Sequence, residues 1–312
     1  MSKLPPGFWS SPLDVAIVIL NYNVAPLLRQ CLRSLEAAST EVSARAIVVD
    51  NCSSDDSVNM VRTEFPDVIV IQSATNGGFS VGNNLALRAI AELSPMPRYV
   101  WLLNPDTVVP PDALHSLVDY MDRAPDVGAT GPRLLLSNGE LDLACRRSFP
   151  SPIVSLYHMI GLSRLFPKST RFARYRLTFL PDDAVADVDS VVGACMLVRT
   201  ELLRSVGLLD EAFFMYGEDL DWAYRIKEAG WRVVYNGTVT VIHHKRQSSR
   251  TSPRAIVEFY RSMLIFFHKH YAARTATPVA WLIILGRYAQ WGLALAVNRL
   301  RGGELRPIGA DR

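Results

Sequence analysis

Three carboxylates, Glu218, Asp219 and Asp221, fall within four residues of the stretch "EAFFMYGEDLDW", directly after an aromatic run. Acids this close repel and raise one another's pKa, so a chain keeps such a cluster on a solvated face or where a cation or a proton transfer needs it. The pattern "EDLDWAYRIKEAG" is helical, with Gly230 as its C′ residue, which sets the acids at a helix N-terminus that stabilises their charged form. Successive helical residues point about 100° apart, so the three cannot all serve one point. An ionised carboxylate there could take a proton from a hydroxyl, and spacing alone leaves open which of the three does so. As a purely structural device, acids at this place complement the helix dipole.

A second set of polar residues follows the apolar runs. Asn21 and Asn23 end "VAIVILNYN", Asp50 and Asn51 end "ARAIVVDN", Asn76 ends "VIVIQSATN", Asn104 and Asp106 end "RYVWLLNPD", and His243 and His244 end "VIHH". Asp50 could cap a helix or accept the imide N–H shared by uracil and thymine. The turn with Gly78 and Phe79 would let backbone approach a nucleotide, and the helix expected from about Asn83 would offer its N-terminus to phosphate. That turn lacks the G-x-G-x-x-G spacing, and the first turn, "NYNVAPLL", has no glycine, which excludes a nicotinamide-binding fingerprint.

Continuous apolar runs separated by helical patterns predict parallel strands buried on both faces, with ligands at their carboxyl ends. Pro26 opens the first helix, whose apolar positions Leu28, Cys31, Leu32 and Leu35 recur at helical spacing. A capping-box pattern from Ser53 to Asp56 opens the second. Residues 131–190 loosen into turns and a basic stretch, Arg164 to Arg176, expected to shape an acceptor site. A strand through Val191 to Val198 and a last strand or hairpin, "WRVVYNGTVTVIHH", complete the body.

The ordered series "VAIVILNYN", "VVDNCSSDDS", "NGGFSVGNN", "WLLNPDT", "VVGACMLVR", "VGLLDEAFFMYGEDLDWAYRIKEAGW" and "VIHH" resembles family 2 inverting glycosyltransferases of the GT-A fold. Within them it is most similar to the rhamnosyltransferase-type branch that builds bacterial cell-surface polysaccharides. The resemblance covers about residues 14–250. It implies a Rossmann-like α/β fold, a mostly parallel central sheet with helices on both faces, divided into a nucleotide-binding half (14–130) and an acceptor and catalytic half (131–250). It implies Asp219 as the general base, supported on the acceptor side by Glu218, Asp221, Trp222 and Gly193. It implies a nucleotide-sugar site of Asn21, Asn23, Asp50, Asn76, Gly78 and Phe79, continued by Asn83, Asn104 and Asp106. "NPD" stands where the fold carries an Asp-x-Asp for a divalent cation. Asn104 supplies no charge there, so Asp106 and His243 are the implied ligands of Mg²⁺ or Mn²⁺, with His244 as the fallback. The implied reaction moves L-rhamnose from dTDP-rhamnose to a lipid-linked or cell-surface glycan. A galactofuranosyl or other hexosyl transfer from a UDP-sugar, or a silent nucleotide-sugar-binding relative, is the alternative.

Composition sets the wider frame. At 312 residues and 49 % hydrophobic the chain can bury one large core. Residues 245–312 carry twelve Lys/Arg against three acids, while the whole chain is only +3, so the body is acidic and the tail basic. Such an asymmetry points to an anionic membrane surface or a phosphorylated partner more than to nucleic acid. The four cysteines are scattered, with no metal-binding spacing, and read as free thiols in a reducing compartment. Pro5, Pro6 and Pro12 interrupt the N-terminal tail (1–13) where an export signal needs an apolar core. Residues 251–312 are expected to form membrane-associating helices. The segment 277–298 is long enough to span a bilayer, but Arg287 and Gln290 at its middle favour a monotopic anchor on the cytoplasmic face.

Overall fold

The computed structural model describes residues 13–245 and 253–300; most of the N-terminal tail and the last residues of the C-terminal segment lie outside them. The first half is a strand–helix alternation: β1 (Val15–Asn21), α1 (Ala25–Ala38), β2 (Ala44–Asp50), α2 (Ser57–Glu64), β3 (Ile69–Gln72), α3 (Gly78–Ala91) and β4 (Tyr99–Leu103). The second half continues with β5 (Thr107–Val108), α4 (Ala113–Arg123), β6 (Val127–Leu135), β7 (Arg146–Arg147), α5 (Pro152–Met159), α6 (Leu162–Leu165), β8 (Val185–Asp187), β9 (Ser190–Val191) and β10 (Cys195–Arg199). It closes with α7 (Leu202–Ser205), α8 (Glu218–Glu228), β11 (Arg232–His243), α9 (Pro253–His270) and α10 (Thr277–Leu300).

The strands form one sheet in the order β3-β2-β1-β4-β10-β6-β11-β5, with β8 along β11. β3, β2, β1 and β4 run parallel, as do β6 and β11; β10 is inserted antiparallel between β4 and β6. The parallel runs "VAIVI" and "YVWLL" are buried throughout because helices cover both faces. The chain steps outward from β1 to β3 and then crosses back to β4, so right-handed connections put α1 and α2 on one face and α3 on the other. Burying a single Leu or Ile of this core stabilises by roughly 1.5–3 kcal/mol, and 56 residues share it.

This topology gathers the polar strand ends on one edge. Asn21 pairs in register with Asp50, and Asp50 with Gln72. β10 begins at that same edge opposite Leu103, which brings Gly193 and Ala194 beside Asn104. The two-residue strand β5 turns back to pair with the end of β11, Thr107 opposite His243, and so delivers Asp106 to the histidine.

The basic C-terminal region divides in two. The sequence assigns all of 251–312 to the membrane, but α9 docks on the body: Met263 and Phe266 pack with Phe213 and Leu220, and Ser262 Oγ donates to the Met215 carbonyl at 2.8 Å. The apolar residues of α9 have partners in the aromatic run before α8, which composition could not reveal. α10 packs Ala294 against Ile256 and Tyr260 of α9 and passes the end of α5 at Gly286, while most of its apolar side chains face outward, with Leu282 70 % exposed.

Candidate active site

Asp219 sits in the first turn of α8, 5 % exposed, and its carboxylate is held at three points. Oδ2 accepts from the Gly193 backbone N–H at 2.9 Å and from Arg147 Nη2 at 2.6 Å; Oδ1 accepts from the Leu220 N–H at 2.7 Å. A Cβ on Gly193 would come within 3.4 Å of both the Asp219 Cβ and the Phe79 ring, so the missing side chain lets the backbone reach the acid. Arg147, on β7, is nearly buried, and sequence reasoning missed it because a lone arginine in an irregular stretch carries no pattern. Burial alone would depress its pKa, but the Asp219 carboxylate beside it raises it.

Glu218 and Asp221 lead different lives. Glu218 is buried with Oε2 unpartnered, and burial, reinforced by the neighbouring Asp219 charge, pushes its pKa up to about 8. Asp221 is fully buried on the opposite side of the helix. Its Oδ1 meets His270 Nε2 at 2.8 Å and Lys269 Nζ at 2.7 Å, and Oδ2 accepts from Arg225 at 2.8 Å. Burial would raise its pKa, yet these donors bring it down to about 2. Asp221 is therefore the bolt that fastens α9 to α8, not an acceptor-side residue. Trp222, also expected on the acceptor side, is wholly buried and donates to the Gly207 carbonyl at 2.9 Å. The helical period turns Asp221 away from the site, whereas Trp222, three residues on from Asp219, is withdrawn from it by its burial and its bond to Gly207.

Glu218 makes the stability of the fold pH-dependent, with a definite sign. Its ordinary value is 4.5, so between that and about 8 the folded chain holds a proton that the unfolded chain has lost. Its contribution is intact below pH 4.5 and declines as pH rises to about 8. Glu218→Gln, which cannot ionise, is expected to melt above wild type at pH 8.5, each kcal/mol of relief raising Tm by about 2–4 °C, with the gap closing below pH 4.5. Parallel melting curves across that range would show that Glu218 is solvated.

At the nucleotide edge, Asp50 is 2 % exposed; Oδ1 accepts from Asn21 Nδ2 at 3.0 Å and Oδ2 from the Ser53 N–H at 3.0 Å. The helix that Asp50 or a capping box at Ser53 was to start begins only at Ser57, so neither caps it; Ser53 Oγ instead accepts from Asn21 and from the Asn23 N–H. Asn23, at φ 54°, is an exposed loop residue whose Oδ1 accepts from Ser54 and Asp55. Asn21 Oδ1 is buried and without a donor. Asn51, an unassigned strand-end residue in the sequence, links Asn76 Oδ1, the Gly78 carbonyl and the Gly77 N–H.

α3 starts at Gly78, five residues before the expected Asn83. Gly78 has φ +83°, and a Cβ there would lie 2.2 Å from the Phe214 carbonyl, which accepts from the Phe79 N–H at 2.6 Å. Only glycine allows that seam between the nucleotide half and the "EAFFMYG" loop. Asn83 is buried and donates to the Phe79 carbonyl inside α3, a structural role. Asn104 N–H donates to the Ala194 carbonyl at 2.8 Å, so adjacent residues, Gly193 and Ala194, hold Asp219 and Asn104.

Asp106 and His243 are both nearly buried, with His243 Nε2 3.4 Å from Asp106 Oδ1, an oxygen that lacks a hydrogen bond of good geometry. On its far side His243 Nδ1 meets Asp142 Oδ2 at 3.1 Å, and Lys245 Nζ meets Asp142 Oδ1 at 2.7 Å. Burial disfavours the charged imidazole, but the two carboxylates raise its pKa to about 9. Two ligands at right angles about 2.1 Å from one ion stand about 3 Å apart, close to the observed spacing. The spacing of the pair is compatible with two ligands of one cation, but no cluster of three or more such side chains occurs among the described residues, so the protein alone would not complete its coordination. His244, the fallback, faces out and pairs with Ser137.

The model of the family described as "Glycosyltransferase like family 2" matches residues 12–258. An N-acetylglucosaminyl-diphospho-decaprenol L-rhamnosyltransferase of Mycobacterium tuberculosis is 28 % identical over 274 residues, 86 % of this chain and 88 % of its own. The low-salt glycan biosynthesis hexosyltransferase Agl10 of Haloferax volcanii is 27 % identical over 233 residues, 74 % of this chain and 67 % of its own. Among solved structures, the mannosyltransferase PcManGT of Pyrobaculum calidifontis, in complex with GDP-Man and Mn²⁺, superposes with a TM-score of 0.56 at 19 % identity, covering 91 % of this chain and 71 % of that one. That likeness identifies the fold as GT-A.

Proposed function

The chain belongs to glycosyltransferase family 2, and from that premise we propose that it moves one hexose, with inversion, from a nucleoside diphosphate to a hydroxyl of a lipid-linked glycan, L-rhamnose from dTDP-rhamnose being the preferred donor sugar. The observation that carries this reading is the pairing of Asp219 and Asn104 through the adjacent residues Gly193 and Ala194, which sets a buried, anchored carboxylate beside the strand ends suited to a nucleotide. The rhamnose assignment and the lipid-linked acceptor draw support from the name of the mycobacterial relative.

In this reading Asp219 takes the proton of the acceptor hydroxyl as that oxygen attacks the anomeric carbon from the face opposite the diphosphate. Arg147 and the Gly193 N–H hold Asp219 fixed, so the base requires no reorganisation in the transition state. Glu218, protonated at neutral pH, adds no second negative charge near the attacking oxygen. Asp106 and His243 would hold the cation, which when bound supplies charge neutralisation for the departing diphosphate. Asp50 and Asn21 retain unused lone pairs for the imide N–H of the base or for ribose.

Those acceptors treat thymine and uracil alike, so a UDP-hexose is the second reading. Thermal-shift and transfer measurements against dTDP-rhamnose and a panel of UDP-hexoses separate the two, since a donor at 100 times its Kd stabilises by ~2.7 kcal/mol. Stabilisation by a UDP-hexose alone would reassign the donor, and binding without any transfer would mark a silent relative. Asp50→Ala is expected to raise the Kd for the nucleoside diphosphate roughly tenfold, the loss of about one good hydrogen bond. Unchanged affinity by calorimetry would confine Asp50 to holding Asn21 and the Ser53 turn.

A further inference from the structure

The loop region 151–177, expected to shape the acceptor site, folds into two short helices with an unusual surface. Ile153, Leu156, Ile160, Leu165 and Phe166 are each between 46 % and 69 % exposed. Nothing among the described residues covers them. α10, far away in sequence, presents a second apolar face, with Trp281, Leu282, Leu285, Tyr288 and Leu293 each more than half exposed and recurring at helical spacing. The two surfaces adjoin, because a Cβ on Gly286 of α10 would come within 3.4 Å of the Met159 methyl at the end of α5. The mid-helix Arg287 is half-buried and donates to Gln290 Oε1 at 3.2 Å, so it does not interrupt the outward face.

Charge selects the occupant of this combined patch. Neither 151–177 nor α10 contains an Asp or Glu. Arg164, Lys168, Arg171 and Arg174 rim the α5–α6 side, all exposed, and none of them pairs with an acid among the described residues. Apolar residues surrounded by unpaired cations match a bilayer that offers acyl chains below an anionic headgroup layer, whereas an acid-free patch repels a second copy of itself.

We propose that α5, α6 and α10 form one docking surface for an anionic lipid bilayer, and that the C-terminal helix is half of it instead of an autonomous anchor. The surface abuts the segment that carries Arg147: the His158 ring of α5 lies 4.9 Å from that of Tyr175, tilted to it by 51°, and the Tyr175 carbonyl accepts from the N–H of Ser148, the residue after Arg147, at 3.1 Å. The proposal rests on the lipid-linked acceptor reading for its purpose, but its chemistry stands without it.

The test uses the full chain and flotation with vesicles of phosphatidylcholine alone or mixed with phosphatidylglycerol. Wild type is expected to bind the mixed vesicles at least roughly tenfold more tightly, a gap that closes at high salt. Leu165→Asp with Phe166→Asp, and separately Leu282→Asp with Leu285→Asp, are each expected to weaken binding at least roughly tenfold while melting temperature and nucleoside diphosphate affinity stay at wild type, these side chains being exposed. Release by the α10 pair alone would overturn the composite surface in favour of a lone anchor. Loss of binding in neither pair, or a dimer in sedimentation that either pair dissociates, would give the patch to a different occupant. Nucleoside diphosphate binding, read on the same samples, tests the glycosyltransfer reading independently of every vesicle result.

Discussion

Asp219→Asn is expected to lower single-turnover transfer by roughly 10²–10⁴, the usual worth of a general base, while nucleoside diphosphate affinity stays near wild type. Asn is nearly isosteric, so its amide oxygen can still accept from Gly193 and Arg147, but it cannot take a proton at neutral pH. The substitution also removes the charge that opposes ionisation of Glu218 and the partner of a buried guanidinium. Breaking a buried ion pair commonly costs 3–5 kcal/mol. Here the adjacent Glu218 is expected to ionise in its place, so the fall in melting temperature should be modest and should deepen when Glu218→Gln is added. Glu218→Gln alone should cost little rate. Asp221→Asn should cost stability through the α9 contacts and leave the rate per folded molecule unaltered. If Asp219→Asn turns over normally while Glu218→Gln does not, the roles of the two acids are reversed.

How much of this arrangement could be read beforehand differs between residues for physical reasons. The parallel half was legible because buried strands and amphipathic helices impose periods of their own, and the strand ends Asn21, Asp50, Asn104 and Asp106 follow from those periods. Asp219 was legible as one of three acids. Its separation from Asp221 required the partners of α9, since a helix face is acidic for the same local reason whether it meets substrate or a lysine from 48 residues away. Arg147 and Asp142 were not legible at all: Arg147 acts on Asp219, and Asp142 on His243 and Lys245, across long sequence separations, and such isolated contacts leave no repeat in the chain. α9 misled because an amphipathic helix looks the same whether its apolar stripe faces lipid or protein.

Transfer in excess chelator is expected to fall by roughly 10²–10³ and to return on adding Mn²⁺ or Mg²⁺, since neutralising a diphosphate leaving group is worth several kcal/mol. In the proposed site Asp106 would be the one charged ligand from "NPD", because Asn104 is neutral, so Asp106→Ala should abolish the restoration at any cation concentration. Asp142→Asn separates ligand from support. Asp142 grips His243 Nδ1 from behind and, with Lys245 beside it, is held well below the usual carboxylate range, a fixed anion that orients the imidazole so that Nε2 faces Asp106. Removing such a partner typically weakens metal affinity 10–100-fold without deleting the site. The expected pattern is therefore a rightward shift in the cation concentration needed for half-maximal binding of the nucleoside diphosphate by Asp142→Asn, with the same plateau, against no cation response in Asp106→Ala. Full activity of wild type in chelator would sink the cation, and would leave His243 bridging Asp106 and Asp142 as a structural pin between β5, β11 and residue 142.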